Sequence, residues 1–394
     1  MNSLSQISAI TMMNLHNLPA RIGSSLVIVV GIAGVVAVLV AILSMAKGFE
    51  ATLQGSGSPD RAIVLRGGST SEMASSLSSQ QTNLISTKPG ILNTDKGLLA
   101  AKETYVIADI RKRANNSPAN MPMRGVDQNS FEIREEVEIV EGRNIEFGRF
   151  ELIAGIKAAD QFQGIDLGSE LNIRGAAWKV VGLFEAGGGI YESEVWVDNV
   201  VLRQNLKRGG GSNSLFVKLE SPADFDVFEQ ALQDDPQLET NVLRESTYYA
   251  AQSVSTTAMI TNFGYAVGII MAIGAIFAAL NTMYSAVSAR SVEIATLRAL
   301  GFGQVPIVIS VMVEALALAM IGGLIGATLA YLLFNGYTAS TWGGTFSQVS
   351  FDFAVTPELL TRGITWSCLL GLIGGLFPSI TAARQPITVA LRGM

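Results

Sequence analysis

Long uncharged apolar runs fall at uneven intervals along this chain, one close to its start and three crowded into its last third. Ile22–Met45 carries no charged residue over 24 positions, and Met259–Ala289 carries none over 31. Ile307–Phe334 contains only Glu314, and Gly363–Ala383 contains no charge at all. About 20 apolar residues cross a bilayer as a helix, so each run is long enough to span one. The stretch of about 210 residues between the first two runs is polar and must lie outside the hydrocarbon. The predicted fold is an α-helical membrane protein with four transmembrane helices and an α/β extracytoplasmic domain inserted between helices 1 and 2.

Charge sets the orientation. Residues 46–256 hold 21 Lys and Arg against 29 Asp and Glu, a balance of −8. Residues 1–21 carry Arg21 and no acid, and the tail carries Arg384 and Arg392 and no acid. The link after the second run holds Arg290, Glu293 and Arg298, whereas the link after the third holds Asp352, Glu358 and Arg362. Excess Lys and Arg in short loops marks the cytoplasmic side, so both termini are expected there and the acidic domain outside. The first run is too long for the apolar core of a signal peptide and follows a single basic residue, which predicts an uncleaved span. Cys368, the only cysteine, lies in the fourth run. The exported domain therefore cannot be stapled by disulfides and must hold itself together by burial.

The expected layout is a cytoplasmic segment 1–21, transmembrane helices 22–45, 259–289, 307–334 and 363–383, a cytoplasmic link 290–303, an outer loop 335–362 and a cytoplasmic tail 384–394. Within the exported domain, 46–256, strand–helix–strand patterns recur at both ends. Ala62–Arg66 reads as a strand, Ser71–Leu84 as a helical stretch, and Pro89-Gly90 as a turn. Ser214–Leu219 and Leu238–Leu243 read as strands around a helix that starts at Ser221-Pro222 and places Phe225, Phe228, Ala231 and Leu232 on one face. A flanking subdomain, 46–120 with 206–245, is thus expected around a strand-rich insert, 121–205. In that insert Gly155–Asp160 reads as a short helix, and Gly168–Arg174 with Ala177–Gly182 as a hairpin. Gly187–Gly189 and Gly209–Gly211 read as plain loops. No charge occurs over the 44 residues between Glu245 and Arg290. As one helix they would run roughly 66 Å, about twice the hydrocarbon core, so 246–258 is expected to form a stalk outside the membrane, beside Lys47–Leu53.

Catalytic signatures are missing. The chain has no GxxxxGK[ST] phosphate loop, no HExxH and no CxxC. Its one histidine, His16, has no Ser or Asp arranged to form a triad. Glu135-Glu136, Asp224 with Asp226, and Asp234-Asp235 read as solvated surface charge. No cofactor and no metal site are expected, and no nucleic-acid partner. Glu314, the one acid within a span, is costly to bury and is expected to make a polar contact with a neighbouring helix. Gly264-x3-Gly268, Gly322-x3-Gly326 and Gly371-x3-Gly375 allow close helix approach, within the chain or in a dimer.

The link between the second and third spans reads Ala289-Arg-Ser-Val-Glu-Ile-Ala-Thr-Leu-Arg-Ala-Leu-Gly301. As a helix it sets Arg290, Glu293 and Leu297 on one side with Arg298 beside them, and Gly301 ends it. This segment resembles the Arg-x-x-Glu-Ile-x-x-Leu-Arg-Ala-x-Gly signature of the MacB/LolC/FtsX superfamily of ABC-transporter permeases. Further likeness lies in Arg21 with Gly31 and Gly48, in Val313-Glu314-Ala315 before Gly322-Gly323, and in Pro378 with Ala382-Ala-Arg384-x-Pro386 and Ala390-Leu-Arg392. Gly155, Gly168 and Trp178–Gly182 match the periplasmic part more loosely.

The resemblance implies that Arg290, Glu293, Ile294, Leu297, Arg298 and Gly301 form a coupling helix that docks on a separate ABC ATPase subunit, which binds the ATP. MacB carries an ATPase domain ahead of its first span, where this chain has 21 residues, so the resemblance implies a permease without a fused ATPase. Other partners it implies are a second permease copy or paralogue, a periplasmic adaptor with an outer-membrane channel, and membrane lipids. The implied place is the bacterial inner membrane, and the implied function is export or extraction of a substrate. An FtsX-like transducer regulating a periplasmic enzyme is the alternative.

Overall fold

The computed structural model describes residues 3–16, 22–342 and 347–386. Arg21 and Ala390–Arg392, on which part of the resemblance rests, lie outside the described residues. The chain begins with α1 (Ser3–His16), α2 (Ile22–Gln54), β1 (Arg61–Arg66), α3 (Ser79–Ile85), β2 (Asn93–Thr94) and β3 (Gly97–Leu98). It continues through β4 (Ala100–Arg111), β5 (Pro118–Val126), α4 (Gln128–Ile133), β6 (Glu138–Gly142), β7 (Glu151–Gly155), α5 (Ile156–Gln161), β8 (Glu170–Ile173) and β9 (Ala176–Glu185). Next come β10 (Val195–Asp198), α6 (Asn199–Asn205), β11 (Ser214–Lys218), α7 (Phe225–Gln233), β12 (Thr240–Arg244) and α8 (Glu245–Ala289). The last elements are α9 (Ser291–Ala299), α10 (Gln304–Phe334), β13 (Thr338–Trp342), β14 (Gln348–Asp352) and α11 (Pro357–Arg384). They form two compact units, one of Met1–Lys47, Ala258–Tyr337 and Phe353–Met394, the other of Gly48–Thr257 and Thr338–Asp352.

Among the described residues four helices are long and apolar enough to cross a membrane: α2, α8, α10 and α11. In lipid every backbone N–H and C=O must be satisfied within the segment, which an uncharged helix does. Their core contains Val36, Leu39, Val40, Ala319 and Ala330, all fully buried. All three small-residue spacings serve contacts inside this chain. A Cβ at Gly326 would stand 2.4 Å from the Ala33 carbonyl of α2, and one at Gly371 would stand 2.5 Å from the Ala319 Cβ of α10. Gly264 meets Ile42 in the same way. Glycine here lets helix backbones approach where lipid offers no hydrophobic drive. α2 continues to Gln54, past the 45 read from the sequence, because the end of an apolar run marks bilayer thickness and not the end of a helix.

In the second unit one sheet runs β12-β1-β11-β4-β5-β10-β7-β9-β6, with β8 on β9. The expected division at 120/121 fails, because β5 straddles it. β4 joins the two halves: Ala100–Glu103 pair with β11, and Thr104–Arg111 pair with β5. Each half keeps its own core, Ile85, Leu215 and Phe228 in one, Phe162, Trp178 and Val195 in the other. The expected hairpin is β8–β9, and its turn residues Arg174 and Gly175 both have left-handed backbone, φ 51° and 81°. That is the mirror-image turn whose twist matches paired strands.

Two expectations need correction. Ser71–Leu84 is not one helix: a short turn at Glu72–Ala74 precedes extended backbone at Ser75 and Ser78, and α3 then starts with a capping box between Ser78 and Gln81. Serine competes for backbone hydrogen bonds and so favours caps over helix interiors. The outer loop 335–362 is also more than a loop. It holds the antiparallel pair β13–β14, which belongs to the second unit. Ser350 N donates to Ser193 Oγ at 2.9 Å, Gln161 Nε2 donates to Ser340 Oγ at 2.9 Å, and Phe351 meets Phe49 edge-on at 5.5 Å.

Asp127 caps α4, accepting from Ser130 N, and its second oxygen accepts from Lys102 N at 2.9 Å. Burial raises its pKa from 3.8 to about 6, against the lowering effect of the Lys102 bond. The folded chain therefore holds this proton more tightly than the unfolded one. The resulting stability is fully present below about pH 4 and is lost as pH rises through about 6, at most about 3 kcal/mol. Asp127→Asn should flatten the dependence of denaturant midpoint on pH across that window. An unchanged slope would refute the assignment.

Candidate functional site

The link between α8 and α10 turns at Arg290 and forms α9, with Leu300 as its C-cap and Gly301 beyond it in left-handed backbone, φ +96°. Arg290 points inward. Its guanidinium forms a bidentate pair with Glu314 of α10, both contacts at 2.8 Å, and both side chains are buried. The planar fork of arginine matches a carboxylate in this way and compensates two charges that apolar surroundings would otherwise penalise. Glu314 of α10 thus meets Arg290, the residue that precedes α9.

The same geometry corrects the reading of Arg290 as a docking contact, because its fork is already spent on Glu314. Ile294 is buried with Ala295, and Leu297 packs against the helical core. Arg298 donates to the Gln385 carbonyl at 2.7 Å and pins the end of α11. Glu293 and Thr296 face outward, and Leu300 is 73% exposed. An outward strip at Glu293, Thr296 and Leu300 therefore replaces the strip expected at Arg290, Glu293 and Leu297. Sequence reasoning missed Leu300, although it follows Glu293 by two helical turns. α1 packs alongside, with Asn14 Nδ2 donating to Ser310 Oγ at 2.6 Å. His16, at the end of α1, is exposed.

The second unit holds a charge network that the sequence did not reveal. Arg124 of β5 binds three carboxylates: Glu72 at 2.8 Å, Glu103 at 2.8 Å and Glu194 at 2.7 Å. Arg134 binds Glu103 at 2.5 Å, and Arg61 binds Glu245, the first residue of α8, at 2.5 Å. Tyr191 donates to Glu245, and Tyr249 of α8 donates to Tyr191 at 3.0 Å. Tyr248 accepts from Glu72 N at 3.1 Å. All these side chains are buried. Glu136 closes one edge by a bidentate pair with Arg61 at 2.7 and 2.8 Å, so it is not the plain surface charge expected. Glu135 pairs with Lys218, and Asp235 with Lys88 at 2.6 Å.

Burial raises a carboxyl's pKa and a nearby guanidinium lowers it. For Glu103, burial is overcome by Arg134 and Arg124, which hold the carboxyl below its usual range. For Glu194, burial outweighs the lowering by Arg124, and the nearby Glu72 carboxylate pushes the carboxyl up further. Burial also pushes the Tyr191 and Tyr249 hydroxyls far up, so both remain donors. The first turn of α8 is thus fixed into the domain by hydrogen-bonded charges. The signal available in the sequence was a charge beside an apolar strand, as in Glu194-Val-Trp-Val197. Among the described residues no His, Cys, Asp or Glu group is arranged to hold a metal.

The MacB-like periplasmic core domain family matches residues 24–235, and the FtsX-like permease C-terminal family matches residues 265–387. Among curated relatives, the macrolide export ATP-binding/permease protein MacB of Shewanella sp. (strain W3-18-1) is 22% identical over 84% of this chain. The chain covers 55% of that relative, about half the length of the MacB proteins it matches. The uncharacterized ABC transporter permease YknZ of Bacillus subtilis is 26% identical over 57% of this chain and 57% of its own length. The crystal structure of the periplasmic region of MacB from Actinobacillus actinomycetemcomitans aligns with TM-score 0.36 and 12% identity, over 50% of this chain and 92% of that one.

Proposed function

This chain belongs to the MacB/FtsX-type ABC-transporter permeases, and from that premise we propose that it couples ATP hydrolysis by a separate ATPase subunit to movement of its extracytoplasmic domain, driving export or extraction of a substrate. It is a multi-pass membrane protein, and we place it in the bacterial inner membrane with both termini cytoplasmic. In this reading ATP is bound by the partner ATPase. A second copy or a paralogue completes the permease pair, and an adaptor with an outer-membrane channel continues the path.

The observation that carries this reading is the outward strip of α9. Leu300 is an exposed apolar residue next to Glu293 and Thr296, on a helix held from behind by Arg290, Ile294 and Arg298. A rigidly held helix with one outward apolar anchor and a charge suits docking into another subunit. Movement of α9 passes directly to α8, whose 45 residues form one unbroken helix with its first turn in the buried network. The relatives carry names of exporters and permeases, which favours export over regulation of an enzyme.

The test is co-purification of the ATPase from native membranes. Glu293→Arg with Leu300→Glu should lower its affinity at least about 30-fold, the equivalent of ~2 kcal/mol for one docking anchor. Membrane insertion and protease resistance of the exported domain should not change. Recovery of the ATPase at wild-type yield with the double variant would reject docking at this strip.

A further inference from the structure

The exported domain carries a net charge of −8, yet residues 199–219 contain Arg203, Lys207, Arg208 and Lys218 and no acid. Elsewhere in the domain guanidinium groups meet carboxylates, as at Arg61, Arg113, Arg124, Arg134 and Arg143. Arg203 and Arg208 do not: among the described residues neither has a carboxylate within ion-pair distance. Arg203 Nη1 donates to Thr104 Oγ1 at 3.3 Å, and its Nη2 donates to the Gly209 carbonyl. Arg203 is partly buried beside the exposed Arg208, and an anion between the two like charges would offset their repulsion.

The cleft has room for one. A hollow of about 390 Å³ is lined by Ser75, Ser76, Arg203, Arg208 and Ser212, and an adjoining hollow of about 280 Å³ shares the two arginines. Ser212 is 3% exposed, and its hydroxyl has no hydrogen-bond partner among the described residues. A buried hydroxyl without a partner is costly, and this one lies in the wall beside the unpaired cations. The loop Gly209–Gly211 is held close to the wall: a Cβ at Gly211 would stand 2.3 Å from the Leu77 carbonyl, and Ser212 N donates to that carbonyl at 2.9 Å. The arginines are therefore presented from a fixed frame, α6 on one side and a tied loop on the other.

We propose that the hollow at Arg203, Arg208 and Ser212 binds an anionic group, a phosphate or carboxylate, carried by a soluble molecule or by a lipid headgroup. Arg203 and Arg208 would clamp its oxygens against the wall that Ser212 helps to form. The site is separate from α9 and does not depend on an ATPase.

The test uses the full chain in nanodiscs of zwitterionic lipid at low ionic strength. Inorganic phosphate and succinate are titrated by calorimetry, and vesicles of phosphatidylglycerol are tested by co-flotation. Arg208→Gln should weaken binding about 10- to 100-fold, the loss expected for one charge-assisted contact. Lys207→Gln removes the same charge from a residue outside the hollow and should change affinity less than about 2-fold. Arg208 is exposed, so its replacement should leave the unfolding midpoint unchanged. Binding of phosphate or succinate without flotation assigns the site to a soluble anion, and flotation lost in Arg208→Gln assigns it to a lipid headgroup. Absence of all binding by the wild-type chain, or equal losses in Arg208→Gln and Lys207→Gln, would overturn the proposal.

Discussion

Replacing Arg124 by methionine should prevent the exported domain from folding. The substitution keeps much of the apolar stem but removes the one cation shared by Glu72, Glu103 and Glu194, all of them buried. Removing one partner of a buried ion pair costs about 3–5 kcal/mol because the other charge is left uncompensated. Here Glu72 and Glu194 lose their cation together, and Glu103 is left with Arg134 alone. The loss is comparable to the whole stability of a typical domain, about 5–15 kcal/mol. Limited proteolysis on intact membranes should show rapid cleavage across 61–244, while the transmembrane helices remain inserted. Arg124→Lys should fare little better, since one ammonium cannot reproduce the fork that reaches three carboxylates. Adding Glu72→Gln and Glu194→Gln to Arg124→Met should restore part of the resistance. A wild-type digestion pattern for Arg124→Met would show that the network is not what holds the sheet.

The second large effect is expected at Arg290 and Glu314. Arg290→Met alone leaves a buried carboxylate among apolar helices and should destabilise the helical unit by about 3–5 kcal/mol. Glu314→Met alone leaves the guanidinium and should cost a similar amount. The double replacement by methionine removes both charges and should recover most of that loss, because apolar side chains of similar volume often substitute for a buried pair without penalty. Thermal unfolding of the detergent-solubilised chain measures all three. Additive losses in the double variant would mean that the two residues act separately and that the pair is incidental. Recovery would identify it as the element that fixes α9 against α10, and with it the direction in which Leu300 points.

Four spans, an inserted acidic domain and an unbroken α8 were all legible without coordinates, as was the β8–β9 hairpin. A helix after Ser221-Pro222 was legible too, but it starts at Phe225, behind a short turn at Pro222–Asp224, and Ser221 makes no side-chain cap. These depend on short-range rules: uncharged length, loop charge, turn residues, and the spacing of apolar positions. The candidate site was legible only in part. Spacing located α9 and its end at Gly301, but it assigned Arg290 and Leu297 to the wrong side.

Which side of α9 faces outward depends on α10 and α11, because Glu314 draws Arg290 inward and the Gln385 carbonyl draws Arg298. The same holds in the exported domain, where Glu72 and Glu194 look no different in sequence from solvated acids. Arg124 reaches them from positions 52 and 70 residues away. Composition and periodicity therefore determined the number of spans, the inserted domain and the local elements. Only the tertiary structure decided which charges are buried, since a charge can leave water only where a partner from a distant part of the chain arrives to meet it.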